Sequence, residues 1–374
     1  MPAVERIRLQ GFKSIREAEI ELGALNVLIG ENGAGKSNLL SFFRMMNAIV
    51  EGRFALFVEA QGGASALLHR GRKVTPRMVA SVSFPLERGG ANSYGFELTA
   101  VAPDRLVFAD EIVTHRPPSG PERKASMGGG HRESELADAV SAGETTAKTV
   151  KWSLDRWRFY HFHDTSESSP MKQHGDVRDD KFLRGDGSNL AAFLYRLQRE
   201  HLAEYRSIRD TVRMAAPFFD DFVLEPPSSN ATGIDLEWRE KGSDAAMFAQ
   251  QLSDGTLRFI ALATLLLQPD MRNTPQTILV DEPELGLHPY AITVLASLLR
   301  QRSATTQIVL STQSVTLLDE LDDPASVIVV EREGGQSVFR RPEPGSLDAW
   351  LDDYSLGEIW QKNLIGGRPR VDGR

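Results

Sequence analysis

Residues Gly30-Glu31-Asn32-Gly33-Ala34-Gly35-Lys36-Ser37 constrain this chain more than any other stretch. They fit G-x-x-x-x-G-K-[ST], a pattern built around phosphate. The glycines let the backbone curl so that successive N–H groups point at phosphate oxygens, and the following helix adds its positive N-terminal end. Lys36 would neutralise the β- and γ-phosphates, the Ser37 hydroxyl would ligand Mg²⁺, and Asn38 completes the binding set. The context fits: residues 24–29 read as a buried strand running into Gly30, and the pattern from Lys36 to about Val50 is helical.

A second element suits the first. Thr277-Ile278-Leu279-Val280 reads as a buried strand with Asp281 and Glu282 emerging at its C-terminal end, where open α/β sheets bind ligands. Asp281 would hold Mg²⁺ through water, and Glu282 would polarise the attacking water as general base. Alone, an apolar run ending in two acids often only marks a strand end. Together with a phosphate loop it indicates a nucleotide-hydrolysing fold.

Ahead of the phosphate loop, residues 4–10 and 17–21 alternate as paired strands. Residues 78–115 read as three further strands separated by Gly, Asn and Pro turn signals. Residues 116–146, rich in Pro, Gly, Ser and charge, read as a mobile loop. Trp152 to Phe162 reads as an aromatic-dense strand whose rings belong to the core, and residues 189–215 as two helices. From Gln250 onward, helix and strand alternate as in a parallel α/β sheet. The basic strip His69, Arg70, Arg72, Lys73 and Arg77 reads as a solvated loop.

Leu252-Ser253-Asp254-Gly255-Thr256 opens a helix that precedes Asp281. Here the chain resembles the ABC-type ATPases, whose signature reads L-S-G-G-Q or a variant of it. Such a motif supplies a second helix N-terminus with a hydroxyl and a Cβ-free backbone. In that family it serves the nucleotide of the opposite subunit. Asp254 and Thr256 depart from the commonest form, while Ser253 and Gly255, the phosphate-touching positions, are kept. As residues alone, Ser253 is equally an ordinary helix N-cap.

Glu282-Pro283-Glu284-Leu285-Gly286-Leu287-His288-Pro289 resembles the extended Walker B and D-loop of the branch containing RecF, the SMC proteins and the OLD-family ATPases. So does the opening Phe12-Lys13-Ser14, and Gly187-Ser188-Asn189-Leu190 is similar to stand-alone predicted ATPases of this branch without a TOPRIM domain. That branch usually ends a later strand with a switch histidine. Gln313 stands there, able to donate and accept hydrogen bonds but not to carry charge near neutral pH. His288 fits either a phosphate contact across a dimer or a helix start before Pro289. The lid segment, or Q-loop, would fall at Tyr160–Asp164, where the usual glutamine is missing. His163 or Asp164 are candidate substitutes, and Gln173 lies further on.

The resemblance implies an α/β fold, a P-loop NTPase of ABC-ATPase head type, with a mixed sheet, an antiparallel β subdomain and a helical lobe. The expected head spans residues 1–340, with the β-rich part near 51–115, the loop at 116–146 and the helical lobe near 186–260. A docking tail follows at 341–374, whose Trp350, Leu351, Tyr354, Leu356, Ile359 and Trp360 form a face for its own domain or for a partner. The implied activity is Mg²⁺-dependent ATP hydrolysis with Glu282, Lys36 and Gln313 at the reacting centre. A phosphate loop and an L-S-x-G helix both offer N-termini to one γ-phosphate. A two-fold homodimer resolves this by pairing Ser253 and Gly255 of one chain with Lys36 of the other.

The family works as a switch on a separate effector protein or on DNA, in DNA repair or antiviral defence. The rival reading is the nucleotide-binding subunit of an ABC transporter, whose corresponding segment more often reads S-A-L-D. The stretch after Gln313 is too short for another catalytic domain of ordinary size, which speaks against a self-contained nuclease. With no cysteine, disulfides and thiolate metal sites are excluded. No apolar run reaches the roughly 18 to 20 residues that span a bilayer, and no export signal is evident, so a cytoplasmic protein is expected. A net charge of −8 argues against a surface coated in nucleic acid but leaves room for a local basic strip.

Overall fold

The computed structural model describes residues 4–226, 232–271 and 274–367. Its contacts divide the chain into two compact units.

The first unit runs to Trp157 and resumes at Asp323. Its larger sheet has six strands, in the order Ile15–Glu21, Arg6–Phe12, Arg77–Pro85, Ala91–Val101, Arg105–Arg116 and Arg123–Gly128. Every neighbour is antiparallel. The turn between the first two strands in the chain is tight, since Phe12 pairs with Ile15 and Lys13 takes a left-handed φ of 46°. Strict alternation over Arg77–Pro85 buries Met78, Ala80, Val82 and Phe84, as period-two patterning requires. The buried strand Leu25–Ile29 pairs in parallel with Val327–Glu333, which turns back antiparallel as Gln336–Arg340. Parallel and antiparallel pairs thus coexist, as a mixed sheet demands. Helix Lys36–Val50 is buried around most of its circumference, by Leu39, Leu40, Phe42, Phe43, Met45, Met46 and Ile49 among others, and leaves Ser37 and Arg44 exposed.

The expected loop at 116–146 is corrected. It contains the strand Arg123–Gly128 and the helix Leu136–Ser141. Composition misleads here because some polar groups of the segment bind within the fold instead of water. Glu133 accepts the N–H groups of Phe54 and Ala55 at 2.7 and 2.9 Å, capping helix Phe54–Ala60. The fully buried Glu111 accepts the Tyr94 hydroxyl at 2.5 Å, the Ser134 hydroxyl, and the Glu135 N–H at 3.0 Å. Trp152 lies in helix Thr145–Leu154, so the aromatic strand is only Trp157–Tyr160; Trp157 and Tyr160 are core residues as expected.

Most of the basic strip is exposed as expected, Arg70, Lys73 and Arg77 among it, and His69 departs from that reading. His69 is buried with Nδ1 2.8 Å from the Lys13 carbonyl, Arg72 reaches the Pro103 carbonyl, and Arg77 meets Glu97 at 3.2 Å.

The second unit comprises Arg158–Asp322 and Ser355–Glu358. Thr277–Asp281 and Gln307–Ser311 pair in parallel with Thr277 opposite Gln307, and the crossover between them is helix Pro289–Ser303. Two helices, Leu190–Glu200 and Leu202–Ala215, lie where the patterning placed them. The expected helical lobe also holds a small antiparallel sheet of Phe219–Val223, Glu237–Glu240 and Ala246–Phe248. The helix opened by the Leu252–Thr256 motif runs Asp254–Leu267. Among the described residues of the tail, helices span Asp348–Leu351 and Leu356–Gln361. Leu356, Ile359 and Trp360 are buried, while Trp350 is exposed.

Candidate functional site

The first unit carries the phosphate loop. Gly30, Gly33 and Gly35 have φ of 146°, 80° and 121°, values that L side chains rarely adopt. Two of these positions are also closed to a side chain by contact. A Cβ on Gly30 would strike the Val330 carbonyl, and one on Gly35 would strike the Ser337 hydroxyl. Glu31 is partly exposed, Asn32 and Gly33 are exposed, and Ala34 is buried. Lys36 is 6% exposed, and its Nζ donates to the carbonyls of Gly30 at 2.6 Å and Glu31 at 3.0 Å. Ser37 presents an exposed side chain in the first turn of helix Lys36–Val50.

Beneath the loop runs a one-way hydrogen-bond relay that the sequence reading missed. Asn38 Nδ2 donates to Ser14 Oγ at 2.6 Å, Ser14 Oγ lies 2.6 Å from Ser337 Oγ, and Ser337 Oγ donates to the Ala34 carbonyl. An amide N–H₂ can only donate and a carbonyl can only accept, so both hydroxyl directions are fixed. The consequence reaches the phosphate side. In a trans peptide the C=O and N–H point opposite ways, so drawing the Ala34 carbonyl towards Ser337 turns the Gly35 N–H away from it. Nothing in the local sequence Gly334-Gly335-Gln336-Ser337 signals this role.

A cavity of about 610 Å³ opens beside the relay, lined by Lys13, Ser14, Asn38, His69, Arg70 and Arg332 among others, with no carboxylate in its described lining. Burial holds the Lys13 ammonium below the usual lysine range, with the charge of Arg44 adding to the effect. Its Nζ donates to Ser41 at 2.7 Å and Gln61 at 3.0 Å. The cationic lining suits an anionic ligand.

The second unit carries the acids. Asp281 ends its strand and accepts the Ser311 hydroxyl. Glu282 takes φ 42°, a left-handed backbone uncommon for a residue with a side chain. Its N–H donates to the Ser311 carbonyl at 2.9 Å, and its carboxylate accepts from Gln313 Nε2. Gln313 is thus brought to Glu282. His163 Nε2 donates to the Asp281 carbonyl at 2.7 Å, which places it at the acid strand's end. Asp164 instead closes a local turn on Ser166, and Gln173 donates to the Glu167 carbonyl.

Ser253 is the N-cap of helix Asp254–Leu267, its hydroxyl accepting the Thr256 N–H at 3.2 Å. Gly255 backs directly on the Gly286 carbonyl, so close packing alone forbids a Cβ there. Asp254 lies 3.6 Å from Lys172. His288 caps helix Pro289–Ser303, its Nδ1 accepting the Tyr290 N–H at 3.3 Å, which meets the helix-start reading.

Arg258 went unnoticed in the sequence. Buried at 5% exposure, it donates to the carbonyls of Phe162 at 3.0 Å, His163 at 3.1 Å and Leu285. It ties the signature helix to both the His163 segment and the turn after Glu284. Its signal was there to read, as an arginine inside an otherwise apolar helical run.

Residues 25–319 match the family described as AAA domain, putative AbiEii toxin, Type IV TA system. The chain belongs to this family. Among solved structures, this AAA-domain chain is similar to an Smc head bound to the C-terminal winged-helix domain of ScpA. The TM-score is 0.58 at 18% identity, over 93% of this chain and 100% of that one. It is likewise similar to an Smc head domain with an extended coiled coil, bound to the C-terminal domain of ScpA, derived from Pyrococcus furiosus. There the TM-score is 0.59 at 17% identity, over 94% and 99% of the two chains. No curated protein matches the chain in sequence. The fold is therefore that of an Smc-type head with its P-loop, as the motifs implied. No helix among the described residues is long and apolar enough to cross a membrane.

Proposed function

We propose that this AAA-domain chain binds MgATP and hydrolyses it in a two-fold, head-to-head homodimer whose closure acts as a switch on a partner protein or on DNA. The phosphate loop carries the reading: three left-handed glycines, a buried lysine anchored at the loop, and a relay that orients Ala34–Gly35. In this reading Gly30 to Asn38 cradle the nucleotide and Lys36 neutralises its β- and γ-phosphates.

The donor set suits magnesium, since the Ser37 hydroxyl and the Asp281 carboxylate are hard oxygen ligands. No cluster of three or more His, Cys, Asp or Glu that could hold a metal occurs among the described residues. When bound, the ion would neutralise charge building on the phosphates. Glu282 then accepts a proton from the attacking water, oriented by Gln313.

Support for closure across subunits comes from the exposed Ser253 at the start of a 14-residue helix. ScpA bound to the similar Smc heads supports a protein partner. The family description and the branch resemblance favour defence or repair over transport, and the Glu-Pro-Glu segment at 282–284 favours the same side.

Glu282→Gln tests the core of this reading. An amide cannot take the proton, so the variant should bind MgATP, lose turnover by about 100-fold or more and accumulate as a dimer on gel filtration with ATP. Normal turnover would assign the base elsewhere.

A further inference from the structure

Asp281 and Glu282 have roles in this reading, whereas Glu284 has none. Yet Glu284 is the most enclosed of the three, at 8% exposure. Its Oε1 accepts the hydroxyl of the fully buried Thr312, whose Oγ1 in turn accepts the Ser314 N–H at 2.9 Å. Its Oε2 is buried without a hydrogen-bond partner. Burial pushes the carboxyl above the usual range. The Thr312 hydroxyl and the N–H groups of Glu284 and Gln313 offset part of this, and the charge of Glu282 adds to it. An apolar residue would suit such a place better, so core packing gives no reason for an acid.

The pairing across the two strand ends supplies one. Asp281 binds Ser311, Glu284 binds Thr312 and Glu282 binds Gln313, three acids on three consecutive residues. Thr312 and Gln313 are neighbours in the chain, so fixing the Thr312 side chain from below fixes where the exposed Gln313 side chain starts. Glu282 sits on a left-handed turn that needs support from its surroundings. We infer that Glu284 is a positioning residue for hydrolysis, holding Gln313 against Glu282 through Thr312 and so orienting the base carboxylate. The inference rests on the reading of Glu282 as base.

Steady-state kinetics with MgATP test it. Glu284→Ala should lower kcat roughly tenfold or more with KM for ATP within about twofold, because the reacting group is misplaced while binding is untouched. Glu284→Gln, which keeps the acceptor for Thr312, should restore kcat to within about threefold of wild type. A wild-type kcat in Glu284→Ala overturns the inference. So does a parallel loss of kcat and ATP affinity that Gln fails to rescue, the mark of a damaged core.

Should Glu284→Ala fail to fold, Thr312→Val removes the hydroxyl at similar volume. Its kcat must fall with KM unchanged, and an unchanged kcat refutes the proposal. Glu282→Gln measured alongside separates the two ideas. Turnover persisting there removes the base assignment, whereas an inactive Glu282→Gln beside a fully active Glu284→Ala removes only the role of Glu284.

Discussion

The relay beneath the phosphate loop gives the sharpest test of how the loop is held. Ser337→Ala deletes the donor to the Ala34 carbonyl and the acceptor for Ser14, at a site where Ser337 and Ala34 are fully buried. Leaving such groups unpaired costs about 1–3 kcal/mol of stability, while a satisfied bond contributes about 1 kcal/mol net. If the lost bond frees the Ala34–Gly35 peptide to rotate, one phosphate donor is no longer set in advance. ATP affinity should then fall about tenfold, equivalent to about 1.4 kcal/mol. Titration calorimetry with a non-hydrolysable ATP analogue measures this, and urea unfolding measures the stability term. Ser14→Ala and the double variant complete a cycle whose coupling energy should reach about 1 kcal/mol, as for residues in one network. Wild-type affinity in Ser337→Ala together with zero coupling would refute the idea that the Gln336–Arg340 strand braces the loop.

Lys36→Ala should abolish ATP binding, since the loop's buried cation is lost; calorimetry showing wild-type affinity would remove the phosphate-site assignment. Gly255→Ala should destabilise the second unit by about 1–3 kcal/mol, because the new methyl meets the Gly286 carbonyl, and unchanged urea unfolding would contradict that contact. Lys36→Ala and Ser253→Arg should each be nearly inactive, and mixing them should restore up to about half the activity per heterodimer if sites fire independently. Cysteines placed near Gly33 and Asp254 provide the companion measurement, clean because the chain has none of its own. If ATP brings no cross-link between subunits and mixing restores nothing, the closed dimer is wrong.

Much of the fold was legible because local pattern and tertiary role coincide in it. Leu25–Ile29 reads as a buried strand and is one, and the helix read from Lys36 to about Val50 is present over that length. The acids at 281 and 282 and the N-cap at Ser253 were legible for the same reason, since each sits at the end of a periodic run. What stayed hidden depends on partners far away in sequence. Ser337 meets Ser14 across 323 positions, and Glu133 caps a helix 79 positions earlier; no local window holds both members of either pair. His69 and Arg72 looked solvated because charge usually is, whereas here backbone carbonyls take up their donors. Glu284 was read as part of a motif, and only its burial and its bond to Thr312 set it apart.

The left-handed turn at Glu282 has a consequence for anyone engineering the protein. A side chain in that region of backbone space costs about 1 kcal/mol or more, a penalty glycine does not incur. Glycine at 282 would relax the turn while removing the carboxylate that the proposed chemistry needs. A screen that ranks variants by melting temperature alone would favour that replacement and discard hydrolysis with it. Thermal robustness and turnover pull in opposite directions at this one position, and any improvement of the scaffold has to be sought away from it.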